Sequence, residues 1–172
     1  GGLTAVNCTC CIWEGFRETM NNVARWKQWF RENSDLILPV YTIDDIAHAK
    51  REGKTGIVLG WQNLTGIEDQ IGYLQIFKEL GVGIMQIAYN TQNLVGTGGY
   101  ERRDGGLSDF GHEVIAEMNR LGILCDLSHV GPKTSEDVIT ASGKPCAYTH
   151  CAPAALKEHP RNKSDAQLRF IV

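Results

Sequence analysis

Two strand-sized apolar runs, residues 123–127 and 145–149, flank one helix-sized segment, residues 131–142, and each run leads into a histidine, His129 or His150. A strand, a crossover helix and a second strand of this size form a βαβ unit whose strands are parallel and adjacent. Both imidazoles then emerge at the C-terminal edge of the sheet, where α/β sheets and barrels bind ligands and do chemistry. Two neighbouring imidazoles on one rim suit a metal ion.

The same alternation runs through the whole chain. Residues 3–7 read as a short buried strand, and Phe16, Met20, Val23 and Phe30 fall on one helical stripe. Residues 35–41 read as an apolar connection, and Thr42 as the N-cap of a helix over 43–51. A strand is expected at 55–60. Ile67, Ile71, Leu74, Phe77 and Leu80 then predict a helix stopped by Gly81, followed by a strand at 83–88. Residues 90–106, rich in Gly, Asn and charge, form a loop of the length that is usually functional. Ser108 caps the next helix, Pro132 opens the one after, and a last helix begins near 164.

Strict alternation means a parallel sheet covered by helices, an α/β fold. No glycine fingerprint or Walker loop follows a strand, and polar residues gather at several strand ends. Both points favour a (β/α)8 barrel. Only five strands are counted, in 172 residues, whereas such barrels typically need about 250 residues. The expectation is one partial barrel domain over residues 1–172, an internal piece of about five β/α units. The start at Gly1-Gly2-Leu3 and the apolar end at Phe170-Ile171-Val172 agree with that. A piece with two open sheet edges is expected to be insoluble or unfolded on its own.

The composition is 42% hydrophobic and 22% charged, with net charge −3. No basic patch is present, so nucleic acid is not an expected partner. No apolar stretch approaches the roughly 18–20 residues of a membrane span, and no signal peptide is visible. The cysteines Cys125 and Cys146 sit in expected strands, and Cys8, Cys10 and Cys11 are too closely spaced for a zinc knuckle. All are read as packing thiols of a cytoplasmic protein.

Taken singly, His129 or His150 is better explained as a satisfied loop residue; at matching positions on adjacent strands the metal reading prevails. Two ligands do not complete a zinc site, so others must come from elsewhere. His48 and His112 lie on polar helix faces, and His159 precedes Pro160 in a turn. Asp126 either orients a ligand or stabilises packing. Glu14, Glu101 and Asp104 have no spacing that marks them as ligands. Ser128 lacks a nucleophile elbow. Trp61 reads as packing.

The segments Asp126-Leu127-Ser128-His129-Val130, Thr149-His150 and His159-Pro160-Arg161-Asn162 resemble the signature of the membrane (renal-type) dipeptidase family. Gly106-Leu107-Ser108-Asp109-Phe110-Gly111 and Glu117-Met118-Asn119-Arg120-Leu121-Gly122 resemble the helix before it. The resemblance implies a (β/α)8 barrel, zinc (one or two ions) and cleavage of dipeptides by metal-assisted hydrolysis. It matches His129 and His150 to metal ligands and Arg161 to a contact with substrate. Gln62 stands where the family places a metal-bridging glutamate; a neutral amide is a weaker ligand. Tyr89 stands where many relatives have a substrate-binding histidine. The family's first-strand His-x-Asp pair and its late acidic residue have no counterpart in this sequence, so the piece alone is expected to be inactive. The implied partner is a small peptide, with no membrane, and a homo-oligomer is left open. Without the resemblance, Arg161 would be read as a surface partner of Asp165. Two rivals stand beside the dipeptidase: another amidohydrolase-type activity on the same barrel, and a non-hydrolytic binding protein with a degraded metal site.

Overall fold

The computed structural model describes residues 2–172. In chain order these form β1 (Ala5–Thr9), α1 (Phe16–Glu32), β2 (Ile37–Pro39), α2 (Ile43–Arg51), β3 (Thr55–Trp61), a 3-10 turn (Leu64–Ile67), α3 (Tyr73–Glu79), β4 (Val82–Gln86), α4 (Asp109–Leu121), β5 (Leu124–Asp126), α5 (Pro132–Ala141), β6 (Cys146–Ala147) and α6 (Asp165–Phe170). Every strand pairing is parallel, in the order β1-β3-β4-β5-β6. Alternation and order are those of part of a (β/α)8 barrel. Among the described residues no helix is long and apolar enough to cross a membrane.

The sixth strand corrects the sequence reading, which treated 35–41 as a connection. β1 runs the length of one edge of β3. The opposite edge is shared, β2 lying along Thr55–Ile57 and β4 along Leu59–Trp61. Successive β3 amides point to opposite sides, Thr55 N–H to Leu36 O and Gly56 N–H to Thr4 O, so each edge finds its own partner. A three-residue strand with a proline has too little pattern to be seen without its neighbour.

The expected helix from Ile67 is also corrected. Ile67 closes the 3-10 turn, Glu68 takes a left-handed φ of 53°, and α3 starts only after Gly72. The apolar spacing continues through a break in backbone conformation that propensity alone does not show. The first strand lies at Ala5–Thr9 rather than 3–7 and is half-buried or exposed rather than buried, and the last shrinks from 145–149 to Cys146–Ala147. In the latter case the ladder ends because Thr149 turns its N–H to the Asp126 side chain instead of a strand carbonyl.

Several local expectations hold. Ser108 Oγ accepts from Gly111 N–H at 2.9 Å at the start of α4, and Pro132 occupies the first turn of α5. Gly122 ends α4 with φ 66°, a left-handed cap that costs glycine nothing. The core lies between sheet and helices: Leu59, Trp61, Met85 and Leu127 from the sheet side, Phe77 and Met118 from α3 and α4. Trp61 is fully buried and meets Phe77 edge-on at 4.5 Å.

Candidate metal centre

His129 and His150 do meet. Their Nε2 atoms are 3.0 Å apart at the C-terminal ends of β5 and β6. His129 is 4% exposed, while His150 keeps an open side toward solvent.

The other nitrogen of each ring is held. His129 Nδ1 is 2.7 Å from Asn90 Oδ1, so it is the protonated nitrogen and Nε2 bears the lone pair. Asn90 and His129 both adopt left-handed backbone, φ 64° and 63°. Few residues other than glycine adopt that region, and Asn and His are among those that do. The surroundings hold both. Asn90 O accepts from Tyr100 N–H, and His129 O accepts from Gly99 N–H. Just before those donors, a Cβ on Gly98 would lie 2.2 Å from the Asn90 carbonyl carbon. The loop can close over Asn90 only because residue 98 has no side chain.

His150 is fixed from below by Asp126, which is 1% exposed. Its carboxylate accepts from Ser128 N–H at 2.9 Å, Thr149 N–H at 3.2 Å and Thr149 Oγ1 at 2.6 Å. Since the threonine proton goes to Asp126, Thr149 Oγ1 accepts from His150 Nδ1 at 2.8 Å. Ser128 Oγ accepts the His150 backbone N–H at 3.0 Å. Asp126 thus orients a histidine through Thr149, and Ser128 is scaffold.

With both Nδ1 atoms protonated, two Nε2 lone pairs face each other. Burial lowers the His129 pKa to about 3, helped by the Arg161 charge. Burial also lowers that of His150, with Arg161 adding and Asp126 opposing. Neutral imidazoles at this spacing repel unless an electrophile sits between them. Two ligands about 2.0–2.1 Å from a tetrahedral zinc stand about 3.3 Å apart, close to the 3.0 Å found. The pair fits two positions of a zinc site. Among the described residues no third His, Cys, Asp or Glu joins it.

Arg161 lies beside the pair. Its Nη2 donates to His150 O at 2.9 Å, and its buried Nε has no partner among the described residues. The pairing with Asp165 is not among the ion pairs formed. Lys163, 2% exposed, donates from Nζ to Val130 O at 2.7 Å, tying the Arg161 segment to the residue after His129. Tyr89 stacks on His129, centroids 4.0 Å apart and planes 26° apart. Gln62 follows β3 on the same rim: its N–H donates to Cys11 O, and its carbonyl accepts from the fully buried Gln86 side chain. Among the described residues no side-chain hydrogen bond joins Gln62 to either histidine.

The other candidates have structural roles. Glu14 accepts from Ile12 and Trp13 N–H, Glu101 from Gln92 N–H, and Asp104 from the first turn of α5. His48, His112 and His159 are exposed. All six cysteines are free thiols, Cys10, Cys11 and Cys125 in the core. Sequence reasoning missed Asn90, Thr149 and Lys163. Their roles depend on partners distant in sequence, or on a backbone conformation that only asparagine's tolerance of positive φ hints at.

Comparison with known proteins extends the likeness to the whole chain. A solved structure of an amidohydrolase from Pseudomonas aeruginosa superposes with TM-score 0.96 at 64% identity, over 99% of this chain and 52% of that one. An uncharacterised dipeptidase of Schizosaccharomyces pombe is 34% identical over 81% of this chain and 34% of its own length. Dipeptidase verJ of Clonostachys rogersoniana is 29% identical over 92% of this chain and 42% of its own. The chain therefore spans about a third to two-fifths of these curated relatives. The sequence profile of the membrane dipeptidases, peptidase family M19, matches residues 2–172. With that match and the paired rim histidines, the chain belongs to the membrane dipeptidase family.

Proposed function

We propose that the protein of which this chain forms part is a zinc-dependent hydrolase that cleaves the peptide bond of dipeptides. The observation that supports this most is the pair of neutral Nε2 atoms facing each other at 3.0 Å, each held in that tautomer by a partner on its other nitrogen. His129 and His150 would hold one zinc ion. Gln62 is a third, weaker candidate, and its neutral amide favours one ion over two. When bound, zinc supplies an activated water near neutral pH and polarisation of the scissile carbonyl.

The chain's own residues do the rest. Arg161, with no carboxylate partner among the described residues, is free to pair with the substrate's C-terminal carboxylate. Such a clamp selects peptides whose carboxylate lies one residue from the scissile bond. Tyr89, flat on His129, shields that ligand from water and offers its hydroxyl to the peptide. The six free thiols support residence in a reducing, cytoplasmic compartment.

The test is metal content of the complete protein, purified without chelator, beside His129→Ala, with hydrolysis of a dipeptide panel. Bound zinc that falls on substitution, with dipeptide cleavage, is the expected result. A second reading, amidohydrolase-type cleavage of another amide, is favoured by the description of the 64%-identical structure. Bound zinc with no dipeptide turnover would select it. No metal uptake at all would leave a non-hydrolytic binding protein.

A further inference from the structure

Trp13 is 59% exposed, yet it sits on a tightly held turn. Cys10 N–H donates to Gly60 O, and Gln62 N–H to Cys11 O. Thr65 Oγ1 donates to Ile12 O at 3.2 Å. Asn22 Nδ2 donates to Cys10 O at 3.0 Å. The Glu14 carboxylate accepts from Ile12 N–H at 2.6 Å and Trp13 N–H at 2.9 Å. An indole left in water forgoes a large apolar contribution; here an anchored backbone holds it out.

The ring has one aromatic neighbour. It meets Tyr89 edge-on, centroids 5.4 Å apart and planes at 84°, and Tyr89 in turn lies on His129. Strand order sets the sequence along the rim. Trp13 follows β1, Tyr89 follows β4, His129 follows β5, and His150 and Arg161 follow β6. The histidine pair is therefore in the middle, with a lone guanidinium to one side and an aromatic wall to the other.

We propose that Trp13 and Tyr89 form the wall of the pocket for the substrate's N-terminal side chain, and that the preferred dipeptides carry a bulky apolar or aromatic residue there. This rests on the dipeptidase reading. A dipeptide spans about 3.3–3.6 Å per residue. With its carboxylate on Arg161 and its scissile carbonyl at the histidine pair, its N-terminal residue continues toward Tyr89 and Trp13. Two aromatic rings offer that side chain a large contact area at little cost in side-chain freedom. The C-terminal side chain lies on the Arg161 side and meets neither ring.

The experiment compares Phe-Gly, Leu-Gly and Ala-Gly with Gly-Phe, Gly-Leu and Gly-Ala on the complete zinc-loaded protein, its Trp13→Ala variant and its Trp13→Phe variant. The parent should prefer Phe-Gly to Ala-Gly. Trp13→Ala should lose about tenfold or more in kcat/KM on Phe-Gly, chiefly through KM. The loss on Ala-Gly and on the Gly-first series should be smaller, and Trp13→Phe should restore most of the preference. Calorimetric binding of a reduced-bond Phe-Gly analogue should weaken by the same factor, which removes chemistry from the readout. Equal losses on all six peptides, or a larger loss on Gly-Phe, would overturn the proposal while leaving the dipeptidase reading intact. Failure of the parent to cleave any of the six would overturn both.

Discussion

The imidazole of His129 has its orientation set by one hydrogen bond, from Nδ1 to Asn90 Oδ1. Removing such a partner typically costs about 10–100-fold in metal affinity. Asn90→Ala should therefore weaken zinc binding by that range in competition with a chelator, and Asn90→Asp, which keeps the acceptor, should recover most of it. Parent-like affinity in the alanine variant would reduce Asn90 to a loop-packing residue. Lys163 gives a second residue-level expectation. Burial pushes its pKa from 10.5 down to about 8. The unfolded chain keeps this proton up to about pH 10.5 and the folded chain releases it near 8, so in that window the unfolded state binds more protons and stability rises with pH. Below about pH 8 both states are charged and the burial penalty is constant. The full rise is on the order of 3 kcal/mol. Urea melts of the complete protein at pH 7 and 10 should show it relative to Lys163→Met; parallel changes in parent and variant would show that Lys163 titrates normally.

At the scale of elements, one side chain of the loop over residues 90–106 holds the start of α5, beside the backbone contacts of Thr97 with Gly131 and Thr134. Asp104 accepts from Lys133 N–H at 2.7 Å, Thr134 N–H at 3.2 Å, Thr134 Oγ1 at 2.6 Å and Gly106 N–H at 3.0 Å. It caps the helix from a remote position, into the space left by Gly131, where a Cβ would lie 2.3 Å from its carboxylate. Asp104→Ala should cost about 1–2 kcal/mol, read as a lower urea midpoint of the complete protein; an unchanged midpoint would mean that water replaces the cap fully. This contact also shows what a sequence can and cannot reveal. Ser108 was legible as a cap because donor and acceptor lie within one turn, and Pro132 as a helix start because its fixed φ suits the first turn. The βαβ unit carrying His129 and His150 was legible because apolar runs of the right length fix its topology. Asp104 was not, since its partners on α5 lie 29 and 30 residues away and nothing local marks them. β2 and the late start of α3 were missed for related reasons: one depends on the shared edge of β3, the other on a left-handed Glu68. Gln62 and Tyr89 stood out only by resemblance, because their interest lies in what they replace.

Across the whole molecule, burial falls from the centre of the sheet to its margins. In β3 every residue but Thr55 and Val58 is buried, whereas β6 is half-buried throughout and β1 has no fully buried residue. β1 and β6 each pair on one side only among the described residues. Their outer amides and carbonyls are unpaired strand edges, which recruit other chains. The helices cannot relieve this, since they cover a face of the sheet and not its margins. Residues 1–172 produced alone should therefore associate into large species by size-exclusion chromatography with light scattering, and a discrete monomer with a cooperative melt would refute this. The same edges bear on the metal centre. β6 leads into His150 and on to Arg161, so any disorder at that margin reaches half of the proposed ligand pair and the proposed carboxylate clamp together. Zinc uptake by the isolated 172-residue chain should consequently fall well below that of the complete protein even where the βαβ unit itself is intact. Equal uptake by both would show that β5 and β6 hold the two imidazoles without help from whatever pairs the β6 edge.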